Sequence, residues 1–108
     1  MKKYNVVFDI SAGDDLVEIY KYAATNDSIE CADKLYLSLK KVCKRLKTLP
    51  YRGHVPPELF EIGVVAYREI RFKPYRIFYS IEDNHVKVHC VLDGRRDIQT
   101  VLQERSLR

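Results

Sequence analysis

The chain has 108 residues, 46% of them hydrophobic and 31% charged, with four glycines and four prolines. That composition excludes a disordered or collagen-like chain and leaves one domain large enough to bury a modest core without a staple. A net charge of +4 admits nucleic acid or an acidic protein as partner and requires neither.

The first ten residues, MKKYNVVFDI, meet Asp9 before any signal-type apolar core develops, and no apolar run reaches membrane-spanning length. Cys31, Cys43 and Cys90 are odd in number and lack C-x-x-C spacing, so they read as free thiols of a reducing cytosol. A soluble, cytoplasmic protein with no membrane partner is expected.

Lys3 to Asp9 alternates, with Tyr4, Val6 and Phe8 on one side, and predicts a first strand. Ser11 is a good helix N-cap, with Asp14 and Asp15 where the helix dipole favours negative charge. Leu16, Ile19, Tyr20 and Ala23 then recur at helical spacing, predicting a helix over about residues 12–24. After a short polar break, Asp27 and Glu30 have the form of a capping box for a second helix. Its apolar stripe, Ala32, Leu35, Tyr36, Leu39, Val42, Cys43 and Leu46, is the strongest periodic signal in the chain. So short a break makes the two helices an antiparallel hairpin. The opposite face of the second helix carries Lys34, Lys40, Lys41, Lys44, Arg45 and Lys47, a solvated face or an electrostatic footprint for an acidic partner or nucleic acid.

YRGHVPPELFEIG reads as a proline-restricted loop leading to a short edge strand over Leu59 to Ile62. His54 and Glu58 within it have no visible partners and read as surface. A three-stranded antiparallel meander follows. In its first strand Arg68, Ile70 and Phe72 oppose Tyr67, Glu69, Arg71 and Lys73. In the second, Tyr75, Ile77, Tyr79 and Ile81 oppose Arg76, Phe78 and Ser80. Asp83 and Asn84 form a turn tolerant of positive φ. In the third, Val86, Val88, Cys90 and Leu92 share one side. Asp97 then caps a short amphipathic helix bearing Ile98, Val101 and Leu102.

The turns and ends of these strands carry Arg68, Arg71, Lys73, Arg76, Arg95 and Arg96, a cationic surface on a β-scaffold. Structural pairing of Arg76 and Arg96 with Glu69, Glu82 or Asp97 would account for some of this charge. Gly94 beside Arg95 and Arg96 would let a ligand approach the backbone closely. His85 lies at a turn and His89 on a strand surface, whereas Tyr75 and Tyr79 belong to the core side. No H-E-x-x-H, Walker loop or Cys/His cluster occurs, so neither a metal nor a cofactor is expected.

The order β, α, α, β-meander, α, with YREIRFKPYRIFY followed by VHCVLDGRRD, resembles the RelE/ParE superfamily of bacterial toxins from type II toxin–antitoxin modules. The resemblance covers nearly the whole chain. It implies an α+β fold with an N-terminal strand and helical hairpin packed on an antiparallel meander and a short C-terminal helix. It also implies a cognate antitoxin that folds onto the toxin in a hetero-oligomer. Two chemistries occur in the superfamily. The ParE-like branch, with plasmid-stabilisation toxins, inhibits DNA gyrase by a protein contact. The RelE-like branch is a metal-independent endoribonuclease, an mRNA interferase that cleaves ribosome-bound mRNA.

If the chain is a ribonuclease, the resemblance makes Arg68, Arg76 and Arg96 the catalytic phosphate clamp. Arg71, Lys73 and Arg95 then serve target or nucleic-acid binding. Arginines stabilise phosphorane charge but do not shuttle protons. The RelE-like pattern has a tyrosine where this sequence has Leu102, and other ribonuclease variants end in a His-Tyr pair absent from DIQTVLQERSLR. The reading therefore leans to a gyrase-type contact, with the C-terminal helix and RSLR tail as first candidates for it. A member retaining only antitoxin binding is the third reading.

Overall fold

The computed structural model describes residues 2–106. Its elements are β1 (Asn5–Phe8), α1 (Ile10–Asn26), α2 (Ile29–Lys44), α3 (Pro57–Phe60), β2 (Tyr67–Phe72), β3 (Tyr75–Glu82), β4 (His85–Asp93) and α4 (Ile98–Glu104). The sheet order is β1-β4-β3-β2. The β2–β3–β4 meander is antiparallel as expected, and β1 joins it parallel to β4, with Asn5 opposite His85 and Phe8 opposite Val88. Asp83 turns the last hairpin at φ 55°.

Both helices of the hairpin start one or two residues from where their caps were expected. α1 begins at Ile10 after Asp9, with Ser11 inside the helix. Asp27 closes α1 by donating its N–H to the Ala23 carbonyl. The cap of α2 therefore passes to Ser28, whose Oγ accepts from the Cys31 N–H at 3.1 Å. The apolar stripe of α2 packs as its period requires. Leu39, Cys43 and Leu46 are buried against Ile77, Tyr79, Val86 and Val88 of the sheet.

The opposite side of the meander is also covered, which the alternation did not announce. Phe78, Cys90 and Leu92 form a second core with Leu59 of α3 and Ile98, Val101 and Leu102 of α4. A bulge makes this possible: Phe78 pairs with Cys90 but Tyr79 pairs with Val88, so β4 carries one extra residue at His89. Past the bulge the alternation inverts. Cys90 and Leu92 leave the side expected for them and turn toward α4, and Val91 joins the hairpin core. Seven residues are too few for a helix to persist alone. Burying Ile98, Val101 and Leu102, worth roughly 1.5–3 kcal/mol each, is what holds α4 in place.

The expected edge strand at Leu59 to Ile62 is instead the one-turn helix α3. Pro57 sits in its first turn, where a fixed φ favours helix and the missing N–H costs nothing, and it drives Leu59 inward. Upstream, the fully buried Tyr79 pins the loop, its hydroxyl donating to the Pro50 carbonyl at 2.7 Å and accepting from the Gly53 N–H at 3.1 Å. A Cβ on Gly53 would lie 2.5 Å from that hydroxyl and from the Glu69 carbonyl, so only glycine fits. His54 then exchanges two backbone hydrogen bonds with Glu69 at the edge of β2.

All three cysteines are free, and burial pushes the Cys43 and Cys90 thiols up to about 12, which leaves them unreactive. No helix among the described residues is long and apolar enough to cross a membrane.

Candidate functional site

Alternation places Glu69 and Arg71 of β2 on the same side of the sheet as Arg76 of β3, with Arg71 directly opposite Arg76. The nearby α3 adds Glu58. Arg76 is drawn between the two carboxylates. Its Nε donates to Glu69 Oε2 at 2.6 Å and its Nη2 to Glu69 Oε1 at 2.9 Å, while Nη1 and Nη2 donate to the Glu58 oxygens at 2.7 and 2.8 Å. The Glu69 side chain is fully buried and that of Arg76 is 7% exposed. His54 Nε2 completes the group, 3.1 Å from Glu69 Oε1.

The electrostatics follow from these contacts. Glu58 and then Glu69 raise the already high pKa of Arg76, so it is permanently charged. Hydrogen bonds from Arg76 hold the Glu58 carboxyl below its ordinary 4.5. A carboxyl depressed in the folded state contributes stability that is complete above its unfolded value and is lost as pH falls through the folded one. Glu58→Gln should therefore flatten the decline of the urea midpoint measured from about pH 6 to pH 3. A decline below pH 4.5 as steep as that of the wild type would show that Glu58 does not hold Arg76.

The other expected site residues lie apart. Arg68 points to the hairpin side, donates to the Gly53 carbonyl at 2.6 Å and lies 5.1 Å from the Tyr51 ring centroid. Arg95 is exposed and forms a two-point pair with Asp93, at 2.9 and 2.6 Å. Arg96 and Lys73 are exposed, with no ion pair among the described residues. Among the described residues Arg71 reaches only Glu69, at 3.7 Å. The six cations expected to share one surface are thus divided among a buried network, a loop contact, the β2 edge, the β2–β3 turn and the β4–α4 turn. Gly94 does not open a path for a ligand. Its N–H donates to the Pro74 carbonyl at 2.8 Å, and a Cβ there would meet that carbonyl at 2.9 Å and the Arg76 stem at 3.2 Å.

Three residues read as surface are structural or half-buried. Glu58 and His54 belong to the Arg76 network. His89 lies in the bulge, hydrogen-bonded to Ser80 Oγ at 2.8 Å and edge-on to Tyr67, and desolvation lowers its pKa. Burial thus favours its neutral ring. Asp15, expected as a helix-dipole charge, is buried and accepts from the Val91 N–H at 2.9 Å and from both Arg105 Nη atoms at 2.7 Å. Leu107 and Arg108 of the RSLR tail lie outside the described residues. No group of three or more metal-ligating side chains gathers among the described residues.

Residues 6–98 match the model of a family described as ParE toxin of type II toxin–antitoxin system, parDE. Solved structures share the fold. A chromosomal ParDE toxin–antitoxin system from P. aeruginosa aligns with a TM-score of 0.70 at 16% identity, covering 82% of this chain and 94% of that one. The toxin–antitoxin complex RelBE2 from Mycobacterium tuberculosis gives 0.64 at 21%, covering 86% and 93%. A YoeB–YefM complex from Staphylococcus aureus gives 0.52 at 21%, covering 82% and 94%. No curated protein matches in sequence.

Proposed function

The chain belongs to the ParE toxin family of type II toxin–antitoxin systems, and from that membership we propose that it arrests growth by a protein contact, with DNA gyrase as target. A cognate antitoxin neutralises it in a hetero-oligomer, as the pairing in the similar toxin–antitoxin structures supports.

The observation that carries this reading is the state of Arg76. Cleavage of RNA by its own 2′-hydroxyl needs a proton acceptor, a cation free to meet the phosphorane and a proton for the departing 5′-oxygen. Arg76 already has four hydrogen bonds to two carboxylates, and phosphate would have to displace them. Leu102 is buried in the second core where a RelE-like enzyme would carry its tyrosine. A binding protein needs none of these groups, only a surface.

The C-terminal helix can offer that surface only through its outward residues, such as Gln99, Thr100 and Gln103. Removing the chain after Gln99 would take away Val101, Leu102 and Arg105, and with them the second core. Truncation is therefore not a clean test of contact.

A supercoiling assay with gyrase, run beside primer extension on mRNA in programmed ribosomes, decides the target. Loss of supercoiling with intact mRNA is expected. New ribosome-dependent 5′ ends with supercoiling unaffected would overturn the proposal in favour of the endoribonuclease. Inhibition of neither, with antitoxin still bound, would leave antitoxin binding as the retained activity and equally reject it.

A further inference from the structure

A cleft of about 590 Å³ opens between the C-terminal half of α2 and the outer strand β2, whose edge is bridged by His54. Four cations from four different segments line it: Lys41 on α2, Arg45 in the 3-10 turn that follows, Arg52 in the turn Pro50–Arg52, and Arg71 on β2. Among the described residues, Lys41, Arg45 and Arg52 have no carboxylate within ion-pair distance. The cleft's one acid, Glu69, is already engaged by Arg76, His54 and, at 3.7 Å, Arg71. A helix dipole accounts for basic residues at the end of α2. It does not account for Arg52 and Arg71, which come from a loop and a strand. The floor is apolar, with Val42, Ile70 and Phe72.

We propose that this cleft binds a phosphorylated nucleotide group, either a free nucleoside polyphosphate or the 5′-phosphorylated end of a nucleic-acid strand. The volume lies in the range of small-molecule sites. Guanidinium forks match phosphate oxygens in pairs, and contiguous phosphates can engage several cations at once. The flat base then covers Phe72 and Ile70. An extended acidic peptide fits less well, because side chains on one side of it recur only about every 7 Å and bring nothing planar to the apolar floor. His54 is held at the rim through Nε2 on Glu69, leaving Nδ1 as its unengaged ring nitrogen. This site is independent of the growth-arresting contact proposed above.

Fluorescence anisotropy on the full chain tests it, with a fluorescent ADP and a labelled 5′-phosphorylated RNA decamer as probes and a polyglutamate peptide as competitor. The double variant Arg45→Gln/Arg52→Gln should weaken binding roughly tenfold or more. The charge-matched control Lys21→Gln/Lys34→Gln, on exposed positions outside the cleft, should change it less than about twofold. Thermal melts establish that both variants fold. Binding of ADP alone would assign a free nucleotide; binding of the decamer alone, lost when its 5′ end is a hydroxyl, would assign a strand end, and equal binding of the 5′-hydroxyl decamer would overturn the proposal. No binding of either probe, an equal loss in the control variant, or stronger competition by polyglutamate than by the unlabelled form of whichever probe binds would overturn the proposal.

Discussion

Arg76→Ala is expected to cost about 3–5 kcal/mol of folding stability, read from the urea midpoint. The cost does not come from the worth of the ion pair. It comes from Glu69, which stays fully buried as a carboxylate after its two-point partner has gone. Neither His54, with a side chain 61% exposed, nor Arg71, 51% exposed and 3.7 Å from Glu69 Oε1, makes the two-point contact that is lost. The double variant Arg76→Met/Glu69→Leu should be more stable than Arg76→Ala, because the fully buried carboxylate is gone and only Glu58, whose side chain is 26% exposed, has lost its partner. A loss below about 1 kcal/mol for Arg76→Ala would mean that water or a proton reaches Glu69. The same variant cannot serve as a functional probe by itself. Loss of toxicity would follow from unfolding whether or not Arg76 ever touched a target.

Asp15→Ala is expected to cost about 3 kcal/mol by a different route. Asp15 lies on α1, yet it accepts from the Val91 N–H of β4 and from the Arg105 fork just past α4. Alanine leaves a buried N–H without an acceptor and a partly buried guanidinium without its partner. Asp15→Asn keeps an acceptor for Val91 and should lose less. Arg105→Ala should also lose less, since the Val91 bond survives and the Arg105 side chain is 26% exposed. Amide exchange distinguishes the two effects: Val91 should exchange faster in Asp15→Ala and remain protected in Arg105→Ala. Equal exchange of Val91 in both would remove Asp15 as its acceptor.

What could be read in the chain beforehand was whatever repeats at a fixed period. The α2 stripe, the β2 and β3 alternations and the Asp97 cap all rest on neighbours within a few positions. The Asp97 cap is observed, accepting from the Thr100 N–H. What escaped depends on groups far apart in sequence. The bulge at His89 is set by pairing with β3, so the phase of β4 could not be continued through it. One local signal was present: Cys90, Val91 and Leu92 are consecutive apolar residues, the mark of a strand buried on both faces. Cross-strand pairing of Arg76 with Glu69 was within reach of the alternation and is observed, but Glu58 lies 18 positions from Arg76, on a helix that meets the strand only in the folded protein. An arginine tally along the strands therefore counted Arg76 as surface charge when it is internal.

The parallel pairing of β1 with β4 bears on how the protein is made. Residues 5–8 leave the ribosome well before their partners, residues 85–88. The α1–α2 hairpin can form from local contacts, whereas β1 must wait for residues 85–88, and the Asp15 bond to Arg105 must wait longer still. Until those residues are made, the nascent polypeptide exposes β1 as an unpaired strand beside an incomplete core. A chaperone or an early-bound protein partner would meet that incomplete surface before the finished sheet exists.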